Sequence, residues 1–350
     1  MRALGLMGAG WVTKQHLRGW QRLGDRARVV AIADPNKTAR EIRAAEFGIP
    51  RTYAGAAELL ANEKLDAVDV AVPREHHAAV CALAAKRGLP ILCQKPLAPT
   101  LAEAQALVRN VGKRSRLMVH ENWRFRTHYL LMKKWLEEGR VGRVRQAIMT
   151  ILTSGFIPDA QGKMYAVDRQ PFFATEKRLL LMEVLIHHVD CLRFLLGDLH
   201  LDAARLGKSA AGIVGEDRVM LMMTGGRGEG VTLIGDFMAH GHAPQQFDRL
   251  EILGEEGAIR LDGAVMESFG KKPERIEVDH QANYIAAYEG VFRHFLDCLD
   301  SGAPFDTAPE DNLKTLGICE RAYRTGFFKK KPAKKKATTK AKPRAKRKRR

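Results

Sequence analysis

The segment from Arg178 to Asp190 reads Arg-Leu-Leu-Leu-Met-Glu-Val-Leu-Ile-His-His-Val-Asp, so Glu183, His187 and Asp190 are spaced by four and then three residues. On a helix this spacing puts all three on one stripe. The surrounding Leu, Met, Val and Ile residues predict a largely buried helix, where ionisable groups need partners or a cavity. Two readings follow. In one, His187 exchanges a proton with a substrate while Glu183 orients it or tunes its proton affinity. In the other, the residues form an intrahelical ion pair. No cysteine or further acid stands at metal-ligand spacing, so no metal is expected.

A second group lies nearer the N-terminus. Gly8-Ala9-Gly10-Trp11-Val12-Thr13 follows an apolar run. Gly8 would make a tight turn, and Gly10 would let a pyrophosphate approach the backbone where a helix begins at Trp11 and Val12. Thr13 stands where a third small residue usually completes this fingerprint. Asp34, 24 residues after Gly10, suits the ribose hydroxyls of an adenosine and repels a 2′-phosphate, which favours NAD over NADP. Capping of the next helix is the other role open to Asp34, and Lys37 leaves NADP open as an alternative. Gln94-Lys95-Pro96 ends another apolar run, and the proline pushes Lys95 out of helical conformation.

These residues need a scaffold that brings them together. Residues 1–119 alternate apolar runs (Ala3–Met7, Val29–Ala33, Ala67–Val72, Ile91–Cys93, Leu117–Val119) with helical patterns (Trp11–Arg22, Lys37–Phe47, Ala56–Ala61, His76–Arg87, Leu101–Val111). That alternation predicts an α/β unit with a doubly wound parallel sheet. All carboxyl ends of such a sheet lie on one edge, so Gly8, Asp34, Pro73 and Lys95 should converge. From Glu121 the pattern changes. A helix over His128–Glu138 and a strand over Val144–Leu152 precede a long helix over Arg178–Leu196. Four β-like runs then follow without intervening helices, at Val219–Met223, Val231–Phe237, Arg249–Leu253 and Ala258–Leu261. They predict a mostly antiparallel open sheet, closed by helices over Tyr284–Leu299 and Pro309–Tyr323. The expected division is a doubly wound α/β unit over 1–120, an α+β unit over 121–328, and a tail over 329–350.

Composition excludes several classes. The longest uncharged stretch, Gln146 to Pro158, has 13 residues, short of the ~20 needed to span a membrane as a helix. The opening residues read as a strand and glycine turn rather than a secretory leader. Five scattered cysteines with no Cys-x-x-Cys pair fit a reducing, cytoplasmic setting. Of the net charge of +18, the 14 Lys and Arg residues among the last 22 account for most, leaving +4 for residues 1–328. The globular part is therefore not a basic nucleic-acid-binding surface. The tail, free of acids, is expected to be disordered and to attract polyanions such as nucleic acid, unless it is only a solvated extension.

In combination these motifs resemble the glucose–fructose oxidoreductase / inositol dehydrogenase / MocA (Gfo/Idh/MocA) family over nearly all of residues 1–328. The likeness rests on the Gly8-x-Gly10 turn, Val72-Pro73-Arg74 with His77 downstream, Gln94-Lys95-Pro96, and the helix running from Glu183 through His187 to Asp190. Weaker echoes are Arg124-Phe125 and Gly215-Glu216-Asp217. The resemblance implies a Rossmann domain followed by an α+β domain whose open sheet assembles a dimer or tetramer. It implies an NAD(P)-dependent dehydrogenase or reductase that moves hydride to or from the carbinol or carbonyl carbon of a sugar, inositol or related polyol. Lys95 and His187 would be the catalytic pair, with Glu183 assisting and Arg124 also meeting substrate. Gly8, Gly10, Trp11, Val12, Asp34, Pro73, His77, Gln94, Lys95 and Arg169 would meet the cofactor. In this chain Gln94 replaces the usual Glu, Glu183 the usual Asp, and Leu185 a common Gly. The loop Gly155–Thr175 should line the pocket. The alternatives are a non-catalytic dinucleotide sensor and a nucleic-acid-associated protein acting through its basic tail.

Overall fold

The computed structural model describes residues 1–326. Its first sheet has six strands: β1 (Arg2–Met7), β2 (Ala27–Ala33), β3 (Arg51–Tyr53), β4 (Ala67–Val70), β5 (Ile91–Gln94) and β6 (Leu117–His120). They run parallel in the order β3-β2-β1-β4-β5-β6. Helices α1 (Trp11–Gln21), α2 (Lys37–Phe47), α3 (Ala56–Asn62), α4 (His77–Lys86) and α5 (Leu101–Val111) connect them. Strands such as β4 and β6 are buried along their whole length. Helices cover both faces of the sheet, so apolar runs take the place of strict alternation.

The second half contributes α6 (Thr127–Glu137), β7 (Val144–Leu152), the short α7 (Tyr165–Arg169) and α8 (Ile186–Leu196). Seven more strands follow: β8 (Leu199–Gly207), β9 (Arg218–Gly225), β10 (Gly230–Asp236), β11 (Arg249–Gly254), β12 (Gly257–Asp262), β13 (Val265–Gly270) and β14 (Glu274–Glu277). With β7 they form an eight-stranded sheet in the order β14-β13-β12-β11-β7-β10-β9-β8. Its pairs are antiparallel except β7 with β10. Strand β9 alternates exposed and buried residues throughout, as expected of a sheet with one face packed and one open.

Helix α9 (His280–Ser301) returns from the second half to pack on α1, and α10 (Pro309–Thr325) completes the described chain. Trp20 of α1 stacks on Phe292 of α9 with ring centroids 4.1 Å apart. Gly19 makes this approach feasible, because a Cβ there would lie 2.5 Å from the Phe292 ring. The two halves thus share a buried aromatic seam beside the parallel sheet.

Beyond the added strands β3, β8, β13 and β14, two local features depart from expectation. The helix anticipated over Arg178–Leu196 begins as a π-helical turn, Leu180–Leu185, before α8 takes ordinary geometry. Such turns widen the helix and re-aim the side chains on it. The cap of α2 is Asn36, whose side chain accepts from the Ala39 N–H, and not Asp34. The basic tail over 329–350 lies outside the described residues. Among those described, no helix is long and apolar enough to cross a membrane.

Candidate active site

The carboxyl edge of the parallel sheet opens into a cavity of about 610 Å³. Gly8, Gly10, Trp11 and Val12 line it after β1, and Asp34 after β2. Pro73, Arg74 and His77 line it after β4, Gln94 and Lys95 at β5, and Asn122 and Trp123 after β6. The second half closes it with Tyr165, Arg169, Phe172, Phe173, Glu176, Glu183 and His187, and with Tyr284 and Tyr288 of α9. Apart from Arg124, every site residue expected from the sequence borders this one space.

At one end, Asp34 pins the glycine turn. Its two carboxylate oxygens accept the Ala9 and Asn36 N–H groups, each at 2.8 Å. Gly8 sits at φ +109°, and a Cβ there would approach the Ala71 carbonyl oxygen to 2.5 Å, so only glycine fits. Thr13 is fully buried and its hydroxyl donates to the Gly10 carbonyl at 2.6 Å, so it fills its position with a bond back to the turn. Trp11 is half exposed at the rim, with the Arg169 guanidinium 5.6 Å from its ring centroid.

At the other end lie Lys95 and His187. Lys95 Nζ donates to the Glu183 carbonyl at 2.8 Å and stands 3.5 Å from a Glu183 carboxylate oxygen. Arg74 grips the carboxylates of both Glu183 and Glu176. His187 stacks on Trp123, with centroids 4.2 Å apart and planes at 12°. Burial, followed by the charges of Lys95 and His188, pushes the His187 imidazolium well below its ordinary range. Behind Lys95, the Gln94 amide oxygen accepts the Lys95 N–H at 2.7 Å while its nitrogen lies 3.0 Å from His16 Nε2. Asp69 receives both His16 Nδ1 at 2.9 Å and Trp20 Nε1 at 2.8 Å. That chain of contacts sets which way the Gln94 amide faces.

Several expectations need correction. Glu183, His187 and Asp190 do not serve one another: Glu183 turns to Arg74 and Lys95, His187 Nδ1 to Glu121, and Asp190 to Arg124. The acid beside His187 is therefore Glu121 and not Glu183. Arg124 does not line the cavity. Its guanidinium is buried between Asp190, at 2.6 and 2.7 Å, and Asp311, at 3.0 Å, which leaves it no route to a substrate. His77 borders the cavity but aims its ring nitrogens at the Val72 and Leu97 carbonyls, tying two loops together. Sequence reasoning also passed over Arg74, Glu176 and Glu121 as site residues. The edge rule that singles out Lys95 after β5 applies equally to Glu121 after β6.

The site fits a dinucleotide. Helix α1 has no side-chain cap at its N-terminus, and a Cβ on Gly10 would meet nothing within 4 Å, so backbone donors open onto free space. Asn122 Nδ2 on the cavity wall is a buried donor without a hydrogen-bond partner among the described residues. Gly8, Gly10, Trp11, Val12, Asp34 and Arg169 would hold the adenosine and pyrophosphate end, with Pro73, Gln94 and Asn122 nearer Lys95. No group of three or more His, Cys, Asp or Glu among the described residues could hold a metal ion.

Comparison with known proteins agrees with this geometry. Residues 2–122 match the family model described as "Oxidoreductase family, NAD-binding Rossmann fold", and residues 129–260 match the "GFO/IDH/MocA C-terminal domain". The chain is 30% identical over 333 residues to D-apiose dehydrogenase of Paraburkholderia graminis, covering 91% of this chain and 86% of that one. It is 26% identical to inositol 2-dehydrogenase of Rhizobium meliloti, covering 92% and 96%. The structure superposes with a TM-score of 0.84 and 28% identity on an oxidoreductase from Agrobacterium radiobacter solved with NAD+, L-tartaric acid and magnesium, covering 92% and 95%. With both of its units matched in order, this chain belongs to the Gfo/Idh/MocA family of NAD-dependent oxidoreductases.

Proposed function

We propose that the protein is a dehydrogenase of an uncharged polyhydroxylated substrate, a sugar or cyclic polyol, with Lys95 and His187 as its catalytic pair. The observation that carries this reading is that both line one cavity with the glycine turn and Asp34. Bound NAD supplies the hydride acceptor for oxidation and, reduced, the donor for the reverse reaction. The chain must then handle a proton and a developing charge. The Lys95 ammonium stabilises the alkoxide that forms as the hydroxyl loses its proton. His187 Nε2 takes that proton in oxidation and returns it in reduction. Glu183 holds Lys95 through both its carbonyl and its carboxylate, a positioning role.

Hydroxyl recognition is favoured over carboxylate recognition because the two cations at the Glu183 end of the cavity carry carboxylate partners, Arg74 with Glu176 and Glu183, and Lys95 with Glu183. Trp123, Tyr165 and Phe172 offer apolar surface for the C–H faces of a sugar. The relatives named for D-apiose and inositol point the same way. We further read the open face of the second sheet as the oligomer surface. Met222, Thr232 and Ile148 form one row across three strands, with Met222 59% and Ile148 40% exposed. Five buried, unpaired cysteines suit a cytoplasmic protein. Neither the sensor reading nor the nucleic-acid reading has a specific observation in its favour among the described residues.

The test is nicotinamide absorbance at 340 nm with NAD against neutral sugars, inositols and sugar acids. Reduction with a neutral polyol, lost in Lys95→Ala and His187→Ala, is expected. Turnover confined to sugar acids would overturn the substrate reading, and unchanged turnover in either variant would overturn the catalytic pair.

A further inference from the structure

Glu121 follows β6 directly, is fully buried, and directs one carboxylate oxygen at His187 Nδ1. Its other oxygen has no hydrogen-bond partner among the described residues. The His187 ring is clamped face to face on Trp123 from the same segment, so the edge carrying Nδ1 faces Glu121 and the opposite edge is left for the cavity. Glu183, on the helix itself, is engaged elsewhere by Arg74 and Lys95. Among the described residues the imidazole therefore has a single carboxylate neighbour in contact, and it comes from the other half of the chain.

We propose that Glu121 is the positioning residue of the catalytic histidine: it holds the Nδ1–H tautomer of His187, so that Nε2 faces the substrate unprotonated, and the two side chains take up and release one proton as a unit. The kinetic part of this inference rests on the function proposed above, while the tautomer does not. A carboxylate accepting from Nδ1–H orients the ring and raises the basicity of Nε2. Burial pushes the Glu121 carboxyl up to about 7, against the opposing pull of Lys95 and Arg124. The surroundings of the pair are Lys95 after β5, His120 on β6, Arg124 and Arg126 after β6, and His188 and Asp190 on α8. Among these the cations disfavour an imidazolium, so without Glu121 the ring would stay neutral to lower pH and be a weaker base. In the protonated pair Nε2–H is the acid for reduction, and in the deprotonated pair bare Nε2 is the base for oxidation.

Two measurements on the full chain test this. In 15N-histidine NMR, with the His187 signal assigned by its absence in His187→Gln, the wild type at pH 8 should show protonated Nδ1 and bare Nε2. Lowering the pH should protonate Nε2 in one step. A protonated Nε2 with bare Nδ1 at pH 8 overturns the inference whether or not a substrate is known. In kinetics, Glu121→Gln should lower the oxidative kcat by about 10²-fold and move the acidic limb of its pH profile to lower pH. A profile lowered with its limb in place would mean a merely structural role and overturn the inference. If Glu121→Gln fails to fold, the wild-type spectrum decides alone. If the NMR signature holds while no polyol is oxidised, the function proposed above fails and the tautomer assignment stands.

Discussion

Lys95 Nζ donates to the backbone carbonyl of Glu183 at 2.8 Å, joining the end of a parallel strand to a π-helical turn 88 residues away. The ammonium is thus placed by both halves of the molecule at once. Its position depends on a carbonyl that no side-chain pattern specifies.

Substitution at Lys95 should therefore separate chemistry from coenzyme binding. On the function proposed above, Lys95→Ala removes the charge that stabilises a developing alkoxide and should lower kcat by about 10²- to 10⁴-fold. The fluorescence-measured Kd for NADH should stay within about threefold, since the glycine turn and Asp34 are untouched. Lys95→Arg should not rescue turnover, because a planar fork cannot reproduce a point charge seated on one carbonyl. Loss of NADH binding in step with kcat would contradict this.

Asp34 pins the Ala9 N–H and, with NAD bound as proposed above, would also be the charge facing a ribose. Its replacement by alanine loses a charge-assisted hydrogen bond worth about 1–3 kcal/mol, roughly 5- to 150-fold in the Kd for NADH. Repulsion of a 2′-phosphate disappears as well, so NADPH should bind more tightly to Asp34→Ala than to the wild type. Parallel titrations with NADH and NADPH would show it.

Arg124 is expected to behave as a structural residue. Arg124→Lys keeps a charge but not the bidentate grip on Asp190, and should cost about 1–3 kcal/mol in denaturant unfolding. The KM of the folded enzyme should stay within about twofold. A substrate-contacting arginine would give the opposite pattern, with KM moving and stability unchanged.

Acid should destabilise the fold partly through His128. This ring is 3% exposed, accepts from the Asn283 amide, and is lowered by burial and then by Arg126 to about 3. Its folded value lies below the unfolded one of about 6.5, so the unfolded chain binds the extra proton in between. The associated stability is complete above pH ~6.5 and declines as pH falls towards ~3, by roughly 3 kcal/mol at pH 4.5. Thermal unfolding at pH 7.5 and 4.5 should show a smaller pH difference in His128→Asn than in the wild type.

Much of this was legible because parallel-sheet topology is a local matter. Runs such as Ala67–Val70 and Ile91–Gln94 are apolar along their length because helices cover both faces, and the residue ending each run must lie on the common edge. Strands β3, β13 and β14 were not legible. They are short or lie towards a sheet edge, and Glu-Arg-Ile-Glu in β14 has too little apolar signal to distinguish it from a loop. Strand β8, Leu-His-Leu-Asp-Ala-Ala-Arg-Leu-Gly, has no clean alternation and becomes a strand by pairing with β9.

By itself, then, the sequence determined the parallel sheet, the glycine turn, the acid after β2 and the convergence of Lys95 with them, all consequences of periodicity and strand direction. Tertiary structure decided who serves whom. The spacing of Glu183, His187 and Asp190 suggests mutual partners, yet their contacts lie with Arg74, Glu121 and Arg124, 109, 66 and 66 residues away. A buried charge takes the nearest opposite charge or hydrogen-bonding group that the packing brings to it, and packing across a cleft leaves no trace in local spacing.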